Sequence, residues 1–175
     1  MVRISTPHPE ITVYDEVFTK EKQNFIEGFC QSFEFSIANM HVDDKEKSIF
    51  ATISGEQWNS TNNQFKKDLQ DSKPFQEFAN RTLTTCIVNL YTIADSQDIR
   101  TFNGHNVILY YTNTAPWRPE FGGELLFYDN YGKSVICTVP TKPNRMVVFN
   151  GEILHRINTI RDVPMRTTVS TLWKR

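Results

Sequence analysis

The sequence predicts a mainly β domain with some α-helix: a double-stranded β-helix (a jelly roll, or cupin-like barrel) with N-terminal helices packed on one sheet. Three observations predict this class. Helical periodicity is concentrated in the front of the chain, at about residues 19–83. Short segments rich in β-branched and aromatic residues then follow one another over about residues 86–175. Turn sequences such as DNYGK and TKPN separate these segments, as in antiparallel sandwiches and barrels.

The length, charge and cysteine content restrict the class of protein further. A chain of 175 residues suits one domain, residues 1–175. Its 19 basic and 20 acidic residues give a net charge of -1, which gives no reason to expect a nucleic-acid partner. The three cysteines lack metal-type spacing and favour a reducing, intracellular setting. No segment is apolar enough for a signal peptide or a membrane span, so we expect a protein that is neither secreted by a signal peptide nor membrane-bound.

The first elements alternate between strand and helix patterns. Residues 11–17 alternate apolar and polar side chains, which predicts a short strand. Thr19 then precedes apolar residues at helical spacing, which predicts an N-cap and an amphipathic helix over about residues 20–33. Residues 35–40 and 48–54 alternate again, with a polar segment between them. We therefore expect a β-hairpin after the first helix.

Helical periodicity returns over residues 62–83. Phe65, Leu69, Phe75 and Leu83 are among the apolar residues that recur at helical spacing. Pro74 favours the first turn of a new helix, so the break near it divides the segment into two helices.

Seven consecutive strands are predicted after these helices. Each is a short apolar or alternating segment, and together they leave no linker that would mark a domain boundary. Their predicted bounds are residues 86–93, 105–113, 124–129, 134–141, 145–150, 154–160 and 166–173.

Two residues in the last strands have the chemistry of a cofactor site. His155 is flanked by Ile153 and Ile157 on its own side of the strand, so its imidazole would lie in an apolar wall. Arg166 begins a Thr/Val-rich strand and offers a planar fork for a carboxylate. Non-haem Fe(II) oxygenases hold the metal with two imidazoles and one carboxylate, and His155 can supply one of those imidazoles. Arg166 can bind the far carboxylate of 2-oxoglutarate, so the two residues together are typical of half of an iron and 2-oxoglutarate site. Each alone is equally typical of a core histidine or an edge arginine.

The segments NVILYYTNTAPWRPEFGGELLFYD, PNRMVVFNGEILHRI and RTTVSTLWK occur in this order within residues 86–175. Together they resemble the prolyl 4-hydroxylase-like branch of the Fe(II)/2-oxoglutarate-dependent dioxygenases, and they look most like the short phage-encoded type. The resemblance implies a double-stranded β-helix, Fe(II) and 2-oxoglutarate as cofactors, and hydroxylation of a C–H bond in a peptide or other substrate.

The resemblance also implies roles for individual residues. His155 matches the distal iron ligand, and Arg166 matches the residue that anchors the 2-oxoglutarate carboxylate. Tyr91 matches a strand position whose hydroxyl often bonds the same co-substrate, although a half-buried strand aromatic is as good an interpretation. The Gly122-Gly123 step matches the bend that enters the strand crossing the barrel.

The sequence departs from the family at the first ligand pair. An H-x-D motif is expected between residues 94 and 107, and none is present there. In one register Arg100 and Phe102 replace the pair, and neither can bind iron because one is permanently charged and the other lacks a donor atom. In the other register Asp98 supplies a carboxylate, and His105 is the remaining nitrogen donor. We therefore assign His155 and Asp98, with His105 as a further candidate, as the metal ligands.

A literal H-x-D motif is present at His41-Val42-Asp43. It lies in a charged segment ahead of the central helices, outside the strand order that the family uses. A solvated loop is therefore the better interpretation than a metal pair.

Two functions from different classes follow. The favoured hypothesis is a catalytically degenerate protein that binds no cofactor and acts as a binding or structural subunit of a larger assembly, for instance a phage particle. The alternative is an active Fe(II)/2-oxoglutarate-dependent hydroxylase with a reduced ligand set. Both hypotheses predict a protein or peptide partner, which we expect at the loop that contains Trp117, Arg118 and Phe121. The expected location is the cytoplasm or a phage virion.

Overall fold

The computed structural model describes residues 2–34, 36–38, 48–54, 63–92, 98–162 and 165–175. Within these residues the chain forms eleven strands, three α-helices and one short 3-10 helix, Pro119–Phe121. The helices are α1 (Lys20–Gln31), α2 (Asn63–Gln70) and α3 (Lys73–Gln76). The strands are β1 (Arg3–His8), β2 (Ile11–Asp15), β3 (Ser36–Ala38), β4 (Ser48–Ser54), β5 (Leu83–Thr92), β6 (His105–Tyr111), β7 (Leu125–Tyr128), β8 (Val135–Val139), β9 (Arg145–Asn150), β10 (His155–Ile157) and β11 (Met165–Lys174).

The strands form two antiparallel sheets. The large sheet has the order β1-β2-β9-β6-β11-β5-β4-β3, and the small sheet has the order β10-β7-β8. An isolated bridge between Arg100 and His155 adds one more position at the β10 edge of the small sheet. From β6 onward the chain crosses between the two sheets at every connection except that from β7 to β8, which pair in the small sheet. This is the arrangement of a double-stranded β-helix. The predicted fold class is confirmed.

The large sheet has two buried faces, and side-chain alternation along its strands separates them. On β6, Val107, Leu109 and Tyr111 belong to a cluster inside the barrel, whereas Ile108 and Tyr110 belong to a second cluster. The second cluster includes the inward residues of the helices, so the helices cover the outer face of this sheet, as predicted. Its helical members are Ile26, Cys30, Phe65, Leu69 and Phe75.

The front of the chain follows most of the predicted pattern. Thr19 is the N-cap of α1, and its hydroxyl accepts a hydrogen bond from the Lys22 backbone N–H. Strands β3 and β4 pair as the predicted hairpin, and Pro74 lies in the first turn of α3.

The front of the chain departs from the prediction at one boundary, and it contains one strand that was not predicted. The helical segment ends at Gln76 and β5 begins at Leu83, because Leu83 pairs with Trp173 of β11 and belongs to the sheet. Strand β1 was not predicted, because its residues are mostly exposed and lack an apolar alternation; its pairing with β2 holds it in the sheet. No helix in the described part of the chain is long and apolar enough to span a membrane.

Candidate functional site

The candidate site lies inside the barrel, between β5 of the large sheet and β10 of the small one. His155 on β10 and Tyr91 on β5 line a small cavity there, together with Arg100 and Phe102. Its volume is about 20 Å³, which is room for about one water molecule. The structure therefore brings His155 and Tyr91, both chosen from the sequence, to one cavity.

His155 is buried in an aromatic environment. The centre of its ring lies 4.8 Å from that of Phe149 and 5.4 Å from that of Phe102. The pKa of the imidazole is lowered to about 4, chiefly by burial and also by the charge of Arg100, while the hydrogen bond to Ile153 acts to raise it. Nδ1 lies 2.7 Å from the carbonyl oxygen of Ile153, and this contact requires the proton on Nδ1. His155 is therefore neutral, with the lone pair on Nε2.

Arg100 lies directly opposite His155. Their backbones exchange two hydrogen bonds of 2.9 Å each, as a closely paired couple on antiparallel strands does. Paired residues project to the same side of a sheet, and both side chains line the cavity. Phe102, two residues further on, lines it as well. Arg100 and Phe102, the end residues of one of the two registers considered for the first ligand pair, therefore both face the cavity beside His155.

The other proposed ligands lie elsewhere. Asp98 is exposed, and His105 lies half-buried at the start of β6 with Nδ1 2.8 Å from the carbonyl oxygen of Asn103. Neither lines the cavity beside His155, and their assignment as metal ligands stays a prediction. The His41-Val42-Asp43 motif and residues 96 and 97 lie outside the described residues. Within those residues, no three His, Cys, Asp or Glu side chains are grouped to hold a metal ion.

Arg166 is the largest fully buried side chain of the described residues. Its Nη1 donates to the carbonyl oxygen of Gly123 at 2.7 Å and to Oγ1 of Thr141 at 2.8 Å. Its Nε and Nη2 have no hydrogen-bond partner in the described part of the chain. These two nitrogens form one edge of the guanidinium, which is an edge that a carboxylate can bind with both oxygens.

Three aromatic rings surround the Arg166 guanidinium. Its central carbon lies 4.9 Å from the ring centre of Tyr91, 5.3 Å from that of Tyr111 and 5.5 Å from that of Trp117. Tyr91 is the cross-strand partner of Arg166, so their side chains lie on the same face of the sheet. The rings stabilise the cation through their faces and leave its in-plane donors for another group.

Gly123 makes the position of Arg166 possible. A Cβ at residue 123 would lie 2.4 Å from Nη1 of Arg166, and its backbone φ of +76° favours glycine. The sequence pattern indicated this glycine only as a bend. Thr141 was missed altogether, because a threonine at the end of a predicted strand has no pattern that distinguishes a buried hydrogen-bond acceptor from a surface residue.

The charge of Arg166 is not balanced by a salt bridge in the described residues. Burial lowers the pKa of its guanidinium, whereas Tyr111, Tyr91 and Glu124 act to raise it. Buried charged groups are normally paired, and an unsatisfied one costs free energy. An anion or ordered water at Nε and Nη2 would remove this cost.

The loop that was expected to contact a partner packs over Arg166. Nε1 of Trp117 donates to the carbonyl oxygen of Gly122 at 2.9 Å, and its ring meets Phe121 edge-on at 5.5 Å. Both aromatic side chains are half-buried, whereas Arg118 is exposed. The aromatic residues of the loop therefore close the Arg166 end of the barrel.

Comparison with known proteins gives the class of fold. No protein-family model matches the chain, and no curated protein matches it significantly. A prolyl hydroxylase from Trichoplax adhaerens, solved with a hypoxia inducible factor peptide, is 17% identical over 94% of this chain and 83% of its own, with a TM-score of 0.68. A Pseudomonas putida prolyl-4-hydroxylase is 15% identical over 95% and 93%, with a TM-score of 0.66.

A 2OG-Fe(II) oxygenase-family oxidoreductase from Burkholderia pseudomallei is also similar, at 12% identity over 94% of this chain and 85% of its own, with a TM-score of 0.66. The chain thus has the double-stranded β-helix fold of the 2-oxoglutarate- and iron-dependent oxygenases. The prolyl hydroxylases are among its structural neighbours.

The described residues fit the two cofactors of that class unequally. The unpartnered Nε and Nη2 of Arg166 match the terminal carboxylate of 2-oxoglutarate. The wall around His155 does not match Fe(II), because a cation and a phenyl ring face it where two donor atoms would be needed.

Proposed function

We propose that this chain is a non-catalytic binding or structural protein built on the oxygenase fold, which holds a carboxylate at Arg166 and does not use iron. The observation that carries the proposal is the position of Arg100, paired with His155 and lining the same cavity. A permanently charged guanidinium cannot donate a lone pair, and its charge opposes a second cation nearby.

The retained Arg166 supports the carboxylate-binding part of the proposal. A ligand that bonds Nε and Nη2 would offset the free-energy cost of burying the Arg166 guanidinium. The hydrogen bonds from Nη1 to Gly123 and Thr141 hold the guanidinium in one orientation. A jelly roll derives its stability from strand pairing and apolar burial, so loss of the metal leaves the fold intact.

The metal-binding part is tested by an anaerobic Fe(II) titration in the presence of 2-oxoglutarate, read by the charge-transfer absorption, and then by a succinate assay. We expect no charge-transfer band and no succinate above a protein-free control. One-to-one iron binding with turnover of 2-oxoglutarate would contradict the proposal.

The carboxylate-binding part is tested by thermal unfolding in EDTA with 2-oxoglutarate or succinate. We expect a rise in melting temperature, because a ligand at a hundred times its dissociation constant stabilises the folded state by about 2.7 kcal/mol. The variant Arg166→Met should fold, since an apolar side chain of similar length replaces an unpaired buried charge, and should lose the shift. Arg81→Met, an exposed position beside α3, is the matched control and should keep it.

An active Fe(II)/2-oxoglutarate-dependent hydroxylase acting on a peptide is the alternative. One observation favours it: His155 donates through Nδ1 to a backbone carbonyl, which is how metal-binding histidines are commonly held with Nε2 directed at the metal. This function requires ligands beyond His155, with Asp98 and His105 as the sequence candidates. The iron titration separates the two functions.

The partner class follows from the binding function. We propose a protein or peptide partner rather than nucleic acid, because the chain has no excess of basic residues. We also propose that the chain is a subunit of a larger assembly, such as a phage particle. The proposed relation to the short phage-encoded branch is consistent with that role. If 2-oxoglutarate or the variant Arg166→Met releases the partner, partner binding depends on the carboxylate site at Arg166.

A further inference from the structure

A second cavity lies outside the barrel, between the helices and the outer face of the large sheet. Its volume is about 280 Å³, against about 20 Å³ for the cavity beside His155. Helices α2 and α3, the turn after α3, the start of β5 and the end of β11 supply its lining. Small-molecule sites have volumes of about 300–1,000 Å³, so this cavity suits a ligand at the small end of that range.

The floor of this cavity is aromatic and rigidly held. Phe75 and Trp173 are buried members of the core under the helices, and Leu83 packs against the same core. The ring of Trp173 meets that of Phe75 edge-on, with ring centres 5.5 Å apart. Nε1 of Trp173 donates to Oγ1 of Thr171 at 2.9 Å, so the indole N–H is already satisfied. The floor therefore offers a preformed aromatic surface, which favours another ring in edge-on or offset contact.

The rim of the cavity carries positive charge. Arg81 and Lys66 line it, and no described Asp or Glu does. The guanidinium carbon of Arg81 lies 4.9 Å from the ring centre of Phe78, and Arg81 forms no ion pair within the described residues. A cation held over a ring keeps its in-plane N–H donors for an anion. Charge complementarity therefore selects an anionic ligand.

We propose that this cavity is a second binding site, and that it takes a small aromatic carboxylate. The ring of the ligand lies against Phe75 and Trp173, and its carboxylate meets Arg81 at the rim. The volume restricts the apolar part of the ligand to about one ring. This site is separate from the one at Arg166, and the inference does not rest on the function proposed above.

Phenylacetate is the probe for this site. It is titrated into the full chain in EDTA and followed by the indole N–H signal of Trp173 in nitrogen-edited NMR spectra, which Trp173→Phe identifies. We expect a saturable shift of that signal. Phenylacetamide, which has the same shape without the charge, should bind about fivefold more weakly, as expected for the loss of one exposed ion pair. Succinate and 2-oxoglutarate carry the charge without the ring and should leave the signal unchanged.

Three results with these ligands overturn the proposal. One is the absence of a saturable shift with phenylacetate. Another is equal affinity for the acid and the amide, which would show that the rim charge selects nothing. The third is binding of hexanoate as tight as that of phenylacetate, which would show that the floor does not select a ring.

A pair of arginine variants tests the role of the rim. Arg81→Met should weaken phenylacetate binding about fivefold and leave phenylacetamide binding unchanged. Arg118→Met is the matched control, because Arg118 is also exposed and lies over a ring, 5.8 Å from the centre of Phe121, but does not line this cavity. It should bind phenylacetate like the unchanged chain. An equal loss in both variants overturns the proposal.

Two further variants test the location of the site. Ala79→Phe, at an exposed position of the lining, fills the cavity and should abolish binding of the acid and the amide alike, with unchanged far-UV circular dichroism. Arg166→Met should leave phenylacetate binding unchanged. Unchanged binding by Ala79→Phe, or a loss in Arg166→Met, would place phenylacetate elsewhere and overturn the proposal.

Discussion

The two ends of the barrel interior differ in how completely a binding site is preserved. At one end Arg166 is hydrogen-bonded to Gly123 and Thr141 and enclosed by aromatic rings, and two of its nitrogens have no partner among the described residues. At the other end His155 keeps the tautomer of a ligand but faces Arg100 and a phenylalanine. Both ends lie in one fold, yet different segments supply them. The proposed function interprets this difference as a loss of the metal-binding half of the site, with the carboxylate-binding half kept.

The largest expected effect comes from restoring donor atoms opposite His155. The double variant Arg100→His, Phe102→Asp places an imidazole and a carboxylate on the cavity wall that already holds His155. We expect Fe(II) affinity to rise from undetectable to a dissociation constant on the order of micromolar, about -8 kcal/mol. Anaerobic titration calorimetry with 2-oxoglutarate measures it.

The alternative register provides the matched control for that experiment. The single variant Ser96→His creates an H-x-D motif with Asp98, which is exposed and does not line the cavity. We expect no gain of iron binding from it. Iron binding by Ser96→His, without any gain in the double variant, would show that the first ligand pair was lost from the other register.

At the Arg166 end, the largest expected effect is that of Gly123→Ala. The new methyl group would lie 2.4 Å from Nη1 of Arg166 on a backbone with φ of +76°. We expect a loss of roughly 4 kcal/mol in the free energy of unfolding, measured in urea. Gly104→Ala is the control, since φ there is +75° and nothing lies within 4 Å of the added atom; it should cost about 1–2 kcal/mol. Equal costs would mean that the contact with Arg166 is unimportant.

The strands could be predicted because they depend on local pattern. Alternation along 105–113 and 166–173 predicts strands. The roles of His155 and Arg166 came from the resemblance and stay predictions. The register opposite His155 could not be predicted, because it depends on how many residues the connection after β5 uses. Sequence spacing left two registers open, Arg100-Thr101-Phe102 and Ser96-Gln97-Asp98, and it gave no sign that the backbone of Arg100 pairs with that of His155.

The neutral state of His155 makes stability depend on pH. The pKa of its imidazole is about 4 in the folded chain, against an ordinary value of 6.5, so below pH 6.5 the unfolded chain binds a proton that the folded chain does not. The contribution of His155 to the free energy of unfolding is therefore fully present above pH 6.5 and falls by about 3 kcal/mol as the pH drops toward 4. His155→Gln should remove this difference when the free energy of unfolding is measured against pH. The pKa of the Asp15 carboxyl is lowered from its ordinary value of 3.8, so the contribution of Asp15 to the free energy of unfolding is lost at a lower pH than that of His155.

Thr141→Val should have a smaller effect at the Arg166 end. The Thr141 hydroxyl accepts from Nη1 of Arg166 and donates to the Gly123 carbonyl at 2.6 Å, so valine removes two hydrogen bonds at nearly constant volume. We expect a loss of about 2 kcal/mol in the free energy of unfolding. Thr141→Ser restores the hydroxyl and should recover more than half of it. If serine and valine are equivalent, packing rather than hydrogen bonding holds Arg166.

The smallest effect is expected for Asp98→Asn, and this variant tests the difference between the two ends most directly. Asp98 is exposed and has no part in the cavity wall, so the substitution should change the free energy of unfolding by less than about 0.5 kcal/mol. Iron binding by the Arg100→His, Phe102→Asp variant should also be unchanged. If the unchanged chain binds iron and Asp98→Asn abolishes that binding, the His155 end is a working metal site. The contrast with the Arg166 end would then be one of ligand choice rather than of loss.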